Sequence, residues 1–91
     1  MLKGVDLQVG QLVCSTLGRD KGKVYLVIGL TDVNRVLVAD GKVRRIENPK
    51  KKNIKHLQRI AATSEEIVNK ISNQQISDSD IVKLIAGYLN K

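Results

Sequence analysis

Three cations and two glycines fall within one short stretch, Gly18-Arg19-Asp20-Lys21-Gly22-Lys23. Glycine tolerates backbone conformations that a Cβ would block, and it lets a loop approach a phosphate closely. Arg19, Lys21 and Lys23 would supply the positive charge that attracts a polyanion. Asp20, whose short carboxylate readily bonds nearby backbone, is expected to fix the turn rather than touch the ligand. A second set of cations follows at Arg44-Arg45 and at Lys50-Lys51-Lys52 with Lys55 and Arg59. These lysines would either line a solvated loop or clamp phosphates beside the first loop. As point charges they would position a backbone without reading its sequence.

Few residues could do covalent or metal chemistry. Cys14, Ser15 and His56 sit in strand-like text with no nucleophile-elbow or metal signature, so no catalytic residue is expected. One cysteine and one histidine exclude an internal disulfide framework and leave no zinc ligand set. Gly18–Gly22 is too short for a P-loop and lacks the Gly-Lys-Ser/Thr ending. The expectation is a binding protein with no metal and no cofactor. Phe and Trp are absent and only Tyr25 and Tyr88 are aromatic, each within an apolar pattern. A binder of single strands needs an aromatic stacking platform, so a nucleic-acid partner would be recognised by shape and backbone.

The charge distribution separates two parts of the chain. The 91 residues suffice for one domain and carry a net charge of +7. Residues 1–60 hold thirteen Lys+Arg against five Asp+Glu, a balance of +8, and residues 61–91 hold three against four, a balance of −1. Polyanion binding is therefore expected of the first part alone. No apolar run reaches the roughly 20 residues of a membrane span, and Met1–Asp6 lacks a secretory signal's apolar stretch. A cytoplasmic location is the expectation.

The elements that must hold these residues can be read from pattern. Gln11–Leu17, Lys23–Leu30, Arg35–Ala39, Val43–Ile46 and Ile54–Leu57 are short β-branched runs bounded by turn residues. Asp40-Gly41 between two such runs predicts a type I′ hairpin, and Pro49 with the lysines after it predicts a loop or short helical turn. Five short strands without crossover helices imply an antiparallel sheet, and about 50 residues favour closure into a small barrel. Lys23–Leu30 is apolar on both faces, as suits either a long curved strand shared by two halves of a barrel or a strand buried beneath the tail. Thr63-Ser64-Glu65-Glu66 reads as a capping box, and Ser77 as a second cap with Ile76 and Ile81 at the staple positions. Helices near 64–72 and 78–90 follow, the second with an apolar stripe at Ile81, Leu84, Ile85, Tyr88 and Leu89. A DNA-reading helix-turn-helix is excluded, because the first turn of the second helix would present Asp78 and Asp80.

Gly10, Val13, Gly18, Lys21-Gly22 and Val24–Ile28 together resemble the KOW motif. Downstream, Val36–Asp40-Gly41, Arg44-Arg45 and Asn53-Ile54-Lys55-His56-Leu57 resemble a subgroup of archaeal and eukaryotic large-subunit ribosomal proteins. The chain departs from many KOW loops in passing from Gly22 directly to Lys23-Val24-Tyr25 without a further glycine. The resemblance covers about residues 8–58 and implies a mainly β, α+β protein: a small SH3-like antiparallel β-barrel over 1–60 with two C-terminal helices over 61–91. It also implies binding of structured RNA, usually ribosomal RNA, through Gly18, Arg19, Lys21, Gly22 and Lys23, supported by Arg44, Arg45, Lys50, Lys51, Lys52 and Lys55. The competing expectation is a protein-interaction module docking on an acidic protein surface. The helix near 78–90 could also serve a protein partner, whereas its lack of net positive charge argues against a membrane surface.

Overall fold

The computed structural model describes residues 7–90. Strands β1 (Gln11–Ser15), β2 (Val24–Asp32), β3 (Arg35–Ala39), β4 (Lys50–Asn53) and β5 (Leu57–Ala62) form one antiparallel sheet in the order β4-β3-β2-β1-β5. A 3-10 turn at Ile54–His56 joins β4 to β5, and helices α1 (Glu65–Ser72) and α2 (Asp78–Leu89) follow.

The sheet curls on itself. Val36 and Val38 of β3 share one buried cluster with Leu57 of β5, together with Leu7, Val13, Tyr25 and Val27. The 3-10 turn ties the two sides, since the Ile54 N–H donates to the Asn34 carbonyl and the Thr16 N–H donates to the His56 carbonyl. The result is the small barrel-like α+β domain expected of the sequence.

A second apolar layer covers the outer face. Leu12, Leu26 and Ala39 pack against Ile71 and Ile81, flanked by Ile67, Ile76, Leu84, Ile85 and Tyr88. This decides why β2 is apolar on both faces: Tyr25 and Val27 point into the barrel, and Leu26 lies beneath the helices. The stripe of α2, which could pack on the barrel or serve a protein partner, packs on the sheet. Of its five positions only Leu89, 63% exposed, remains in solvent.

Four local readings are corrected. Val43–Ile46 is not a strand, and Asp40-Gly41 is not a two-residue hairpin turn. The Asp40 carboxylate accepts the N–H groups of Lys42 and Arg44, both at 2.9 Å, which winds residues 40–45 into a loop. Gly41, at φ 81°, seats that loop on α2, where a Cβ would collide with the Asp78 carbonyl and lie 2.9 Å from Val82 Cγ2. The lysine run is a strand rather than a loop, with Lys50, Lys51 and Lys52 opposite Val38, Leu37 and Val36. Ile54–Leu57 divides between the 3-10 turn and the start of β5, which runs past residue 60 to Ala62.

The helices start close to where the sequence places them. Ser64, not Thr63, caps α1 by accepting the Ile67 N–H, and the Thr63 hydroxyl instead donates to the Gly10 carbonyl. The reciprocal capping box belongs to α2: Ser77 Oγ accepts the Asp80 N–H, and Asp80 Oδ2 accepts the Ser77 N–H, both at 3.1 Å.

Candidate nucleic-acid interface

The basic loop begins where β1 ends and closes on its own backbone. The Ser15 N–H donates to the Lys23 carbonyl at 2.9 Å and the Gly22 N–H to the Ser15 carbonyl at 2.8 Å. Gly22, at φ 91°, is thus the left-handed residue of a bulge facing Ser15. Gly18, at φ 86°, turns the other end, where its carbonyl accepts the Lys21 N–H.

Asp20 pins the loop from beneath. Its carboxylate accepts the Ser15 hydroxyl at 2.9 Å, the Tyr25 hydroxyl at 3.0 Å, Lys50 Nζ at 3.1 Å and Lys52 Nζ at 3.2 and 3.3 Å. The side chains of Asp20 and Lys52 are 11% and 9% exposed. Burial pushes the Asp20 carboxyl up, but hydrogen bonds from Ser15, Lys50, Tyr25 and Lys52 outweigh it and hold the group well below the usual carboxylate range. With Asp20 turned inward, its neighbours Arg19 and Lys21 stand in solvent.

The three lysines of β4 therefore do different things. Side chains alternate along a strand, so Lys50 and Lys52 share the face of Val38 and Val36 and reach Asp20, while Lys51 is exposed on the other face. Lys52, buried against Asp20 and Ser15, is withdrawn from any surface contact, and Lys50 is one-third exposed within the same ion pair. The sequence treated them as one cluster because a loop has no alternation to divide it.

Two further segments meet the loop. Lys23 Nζ lies 3.7 Å from Asp40 Oδ2 and 5.9 Å from the Tyr25 ring centroid, which ties the base of the first loop to the loop of residues 40–45. Asp40 is itself held below the usual carboxylate range. Burial raises it, and the N–H groups of Lys42 and Arg44 with the Lys23 charge more than compensate. Arg45 is exposed and Arg44 half-buried, with Arg45 Nε donating to the Lys42 carbonyl. Lys42 is an exposed cation of this end that sequence reasoning missed, because it was assigned to a hairpin turn. On the other side, the Thr16–His56 backbone bond sets exposed Lys55 next to the entry of the first loop. One end of the barrel thus gathers Arg19, Lys21, Lys23, Lys42, Arg44, Arg45 and Lys55, with Asp20 and Asp40 both turned into hydrogen bonds.

Tyr25 reports on this arrangement. Burial, the hydrogen bond to Asp20 and the charges of Asp20 and Asp40 push its phenol from 10.0 up to about 12. In a Tyr88→Phe chain, ultraviolet absorbance against pH is expected to show the remaining tyrosine ionising at about 12. Adding Asp20→Asn should bring it back toward 10.0. An ordinary titration in the first chain would mean that Asp20 does not hold the phenol.

Comparison with known proteins gives a partial match. The chain is 38% identical over 64 residues to a protein of Bacillus subtilis (strain 168) named "Putative ribosome-binding protein YbzG", and the matched stretch covers 70% of this chain and 86% of that protein. No family model matches the chain.

Proposed function

We propose, since the chain belongs to the family of the Bacillus subtilis protein YbzG, that it binds the ribosome without catalysis by gripping structured ribosomal RNA through the basic end of its barrel. The relative's name supplies the ribosome, and the KOW-like pattern of Gly10–Ile28 supplies the RNA. The observation that carries the reading is the pinned loop: its one carboxylate is consumed internally, so Arg19, Lys21 and Lys23 face solvent on an ordered backbone. Arg44, Arg45, Lys42 and Lys55 extend the surface, and Lys51 adds charge along the sheet edge. A cytoplasmic location goes with this reading. Among the described residues no helix is long and apolar enough to cross a membrane.

Contacts of this kind neutralise phosphates, so affinity should fall steeply with salt. About five phosphate contacts give a log–log slope of about −3.5 to −4.5, a loss of roughly two to three decades between about 50 and 200 mM salt. The test is co-sedimentation with ribosomal subunits and titration of deproteinised ribosomal RNA, each across a salt series. Arg19→Ala/Lys21→Ala/Lys23→Ala is expected to flatten the slope by about 2 to 3 and to weaken binding at least tenfold, with thermal stability close to the parent chain's. Equal binding of this variant and the parent at low salt would refute the loop assignment. A chain that stays at the top of the gradient at every salt concentration would remove the ribosome from the proposal.

A further inference from the structure

Two exposed aliphatic side chains stand among the cations of this end. Leu17 is 54% exposed and immediately precedes Gly18-Arg19, and Val43 is 76% exposed between Lys42 and Arg44-Arg45. Both are mounted on ordered backbone. Leu17 follows the Thr16–His56 backbone bond, with its carbonyl 3.2 Å from Ser15 Oγ. The N–H groups on either side of Val43, those of Lys42 and Arg44, are both held by Asp40 Oδ1. The Lys23–Asp40 ion pair joins the bases of the two loops.

A phosphate backbone offers nothing for these side chains to cover, and a fully stacked duplex hides its base faces. An unpaired base beside a stem exposes an apolar face that aliphatic side chains can shield, much as apolar wedges do between opened base steps. Neither tyrosine can do this, because Tyr25 is 2% exposed and Tyr88 is packed, half-buried, from α2 against the apolar layer between helices and sheet. The other exposed aliphatics of the sheet, Leu30 and Val33, lie at the far end of β2, where Asp32 and Arg35 offset each other.

We infer that the site takes an unpaired nucleotide beside a paired stem, with cations holding the stem phosphates and Leu17 and Val43 covering the face of the unpaired base. The inference rests on the RNA-binding reading above and adds to it a preference for interrupted helices, indifferent to which base is unpaired, since every base has a face. The test titrates the full chain against a fully paired RNA hairpin and the same hairpin carrying a one-nucleotide bulge, by fluorescence anisotropy across a salt series. The bulged hairpin is expected to bind about tenfold tighter, a preference lost in Leu17→Ser/Val43→Ser with the salt slope unchanged. The loop-cation variant should instead weaken both hairpins and flatten the slope. Equal affinity of the parent chain for the two hairpins, or a preference that survives Leu17→Ser/Val43→Ser, overturns the inference and leaves charge-driven RNA binding standing. Failure to bind either hairpin or ribosomal RNA removes the reading beneath it as well.

Discussion

Replacing Asp20 by alanine is expected to cost about 3 kcal/mol of folding stability, because it strands a buried ammonium, a second that is only one-third exposed and the Tyr25 hydroxyl at once. Breaking a buried pair from one side costs about 3–5 kcal/mol, and the lower end applies here since Lys50 can turn to water. For a domain of this size the melting temperature should fall by roughly 12–24 °C. Lys52→Met is the informative contrast. It leaves Asp20 with Ser15, Tyr25 and Lys50, keeps an apolar stem beside Val36, and should cost no more than about 1 kcal/mol. The carboxylate also sets an acid limb. Its folded pKa lies below the unfolded value of 3.8, so its stabilisation is present above that value and drains away as pH falls below it. Asp20→Asn should therefore flatten the loss of stability on acidification. Urea unfolding at neutral and acid pH measures all three variants, and a loss under about 1 kcal/mol in Asp20→Ala at neutral pH would show that the loop is held by something else.

Ile81→Asp is expected to be the most damaging surface-neutral substitution of the tail. Ile81 is fully buried where α2 meets Leu12, Leu26, Ala39 and Ile71. Its truncation to alanine should cost about 3 kcal/mol, and an unpaired carboxylate there more than about 4. A domain of 91 residues has a total of only about 5–13 kcal/mol to lose. Because Leu26 and its neighbours Tyr25 and Val27 face opposite layers from one strand, barrel and helices should unfold in a single transition. Circular dichroism on heating reads this directly, and two separate transitions in the Ile81→Ala chain would show the tail to be independent of the sheet.

Legibility followed the kind of signal each segment carries. β1, β2 and β3 are β-branched runs whose burial is written into their side chains, and they form within two residues of where the pattern puts them. The helices are equally plain, since Ser64 and Ser77 cap apolar periodicities. β4 was invisible because Lys50-Lys51-Lys52 has no apolar face; it becomes a strand by pairing with β3 and by the reach of Lys50 and Lys52 to a carboxylate 30 and 32 residues away. Asp40-Gly41 misled for a related reason. Its glycine answers a long-range requirement, the close seat on α2, that mimics a local turn signal. At the candidate site, the loop residues could be named from sequence, but which lysines stay in solvent depends on strand alternation. Asp20 is expected to fix the turn, and it does so both through its carbonyl, which accepts the Lys23 N–H, and through a carboxylate that reaches the local side chains of Ser15 and Tyr25 and the distant ones of Lys50 and Lys52.

The lysine strand has one more consequence. Among the described residues β4 is an edge strand of the sheet, so one row of its backbone N–H and C=O groups is left without a strand partner. Such a row is a template on which another chain can add, the first step toward fibrils. Here any copy approaching in the same register would bring its own exposed Lys51 and one-third exposed Lys50 against those already present, and the barrel's open margin repels its like. The charge run that looks like a nucleic-acid clamp thus also keeps the protein from aggregating while it folds and waits for a partner.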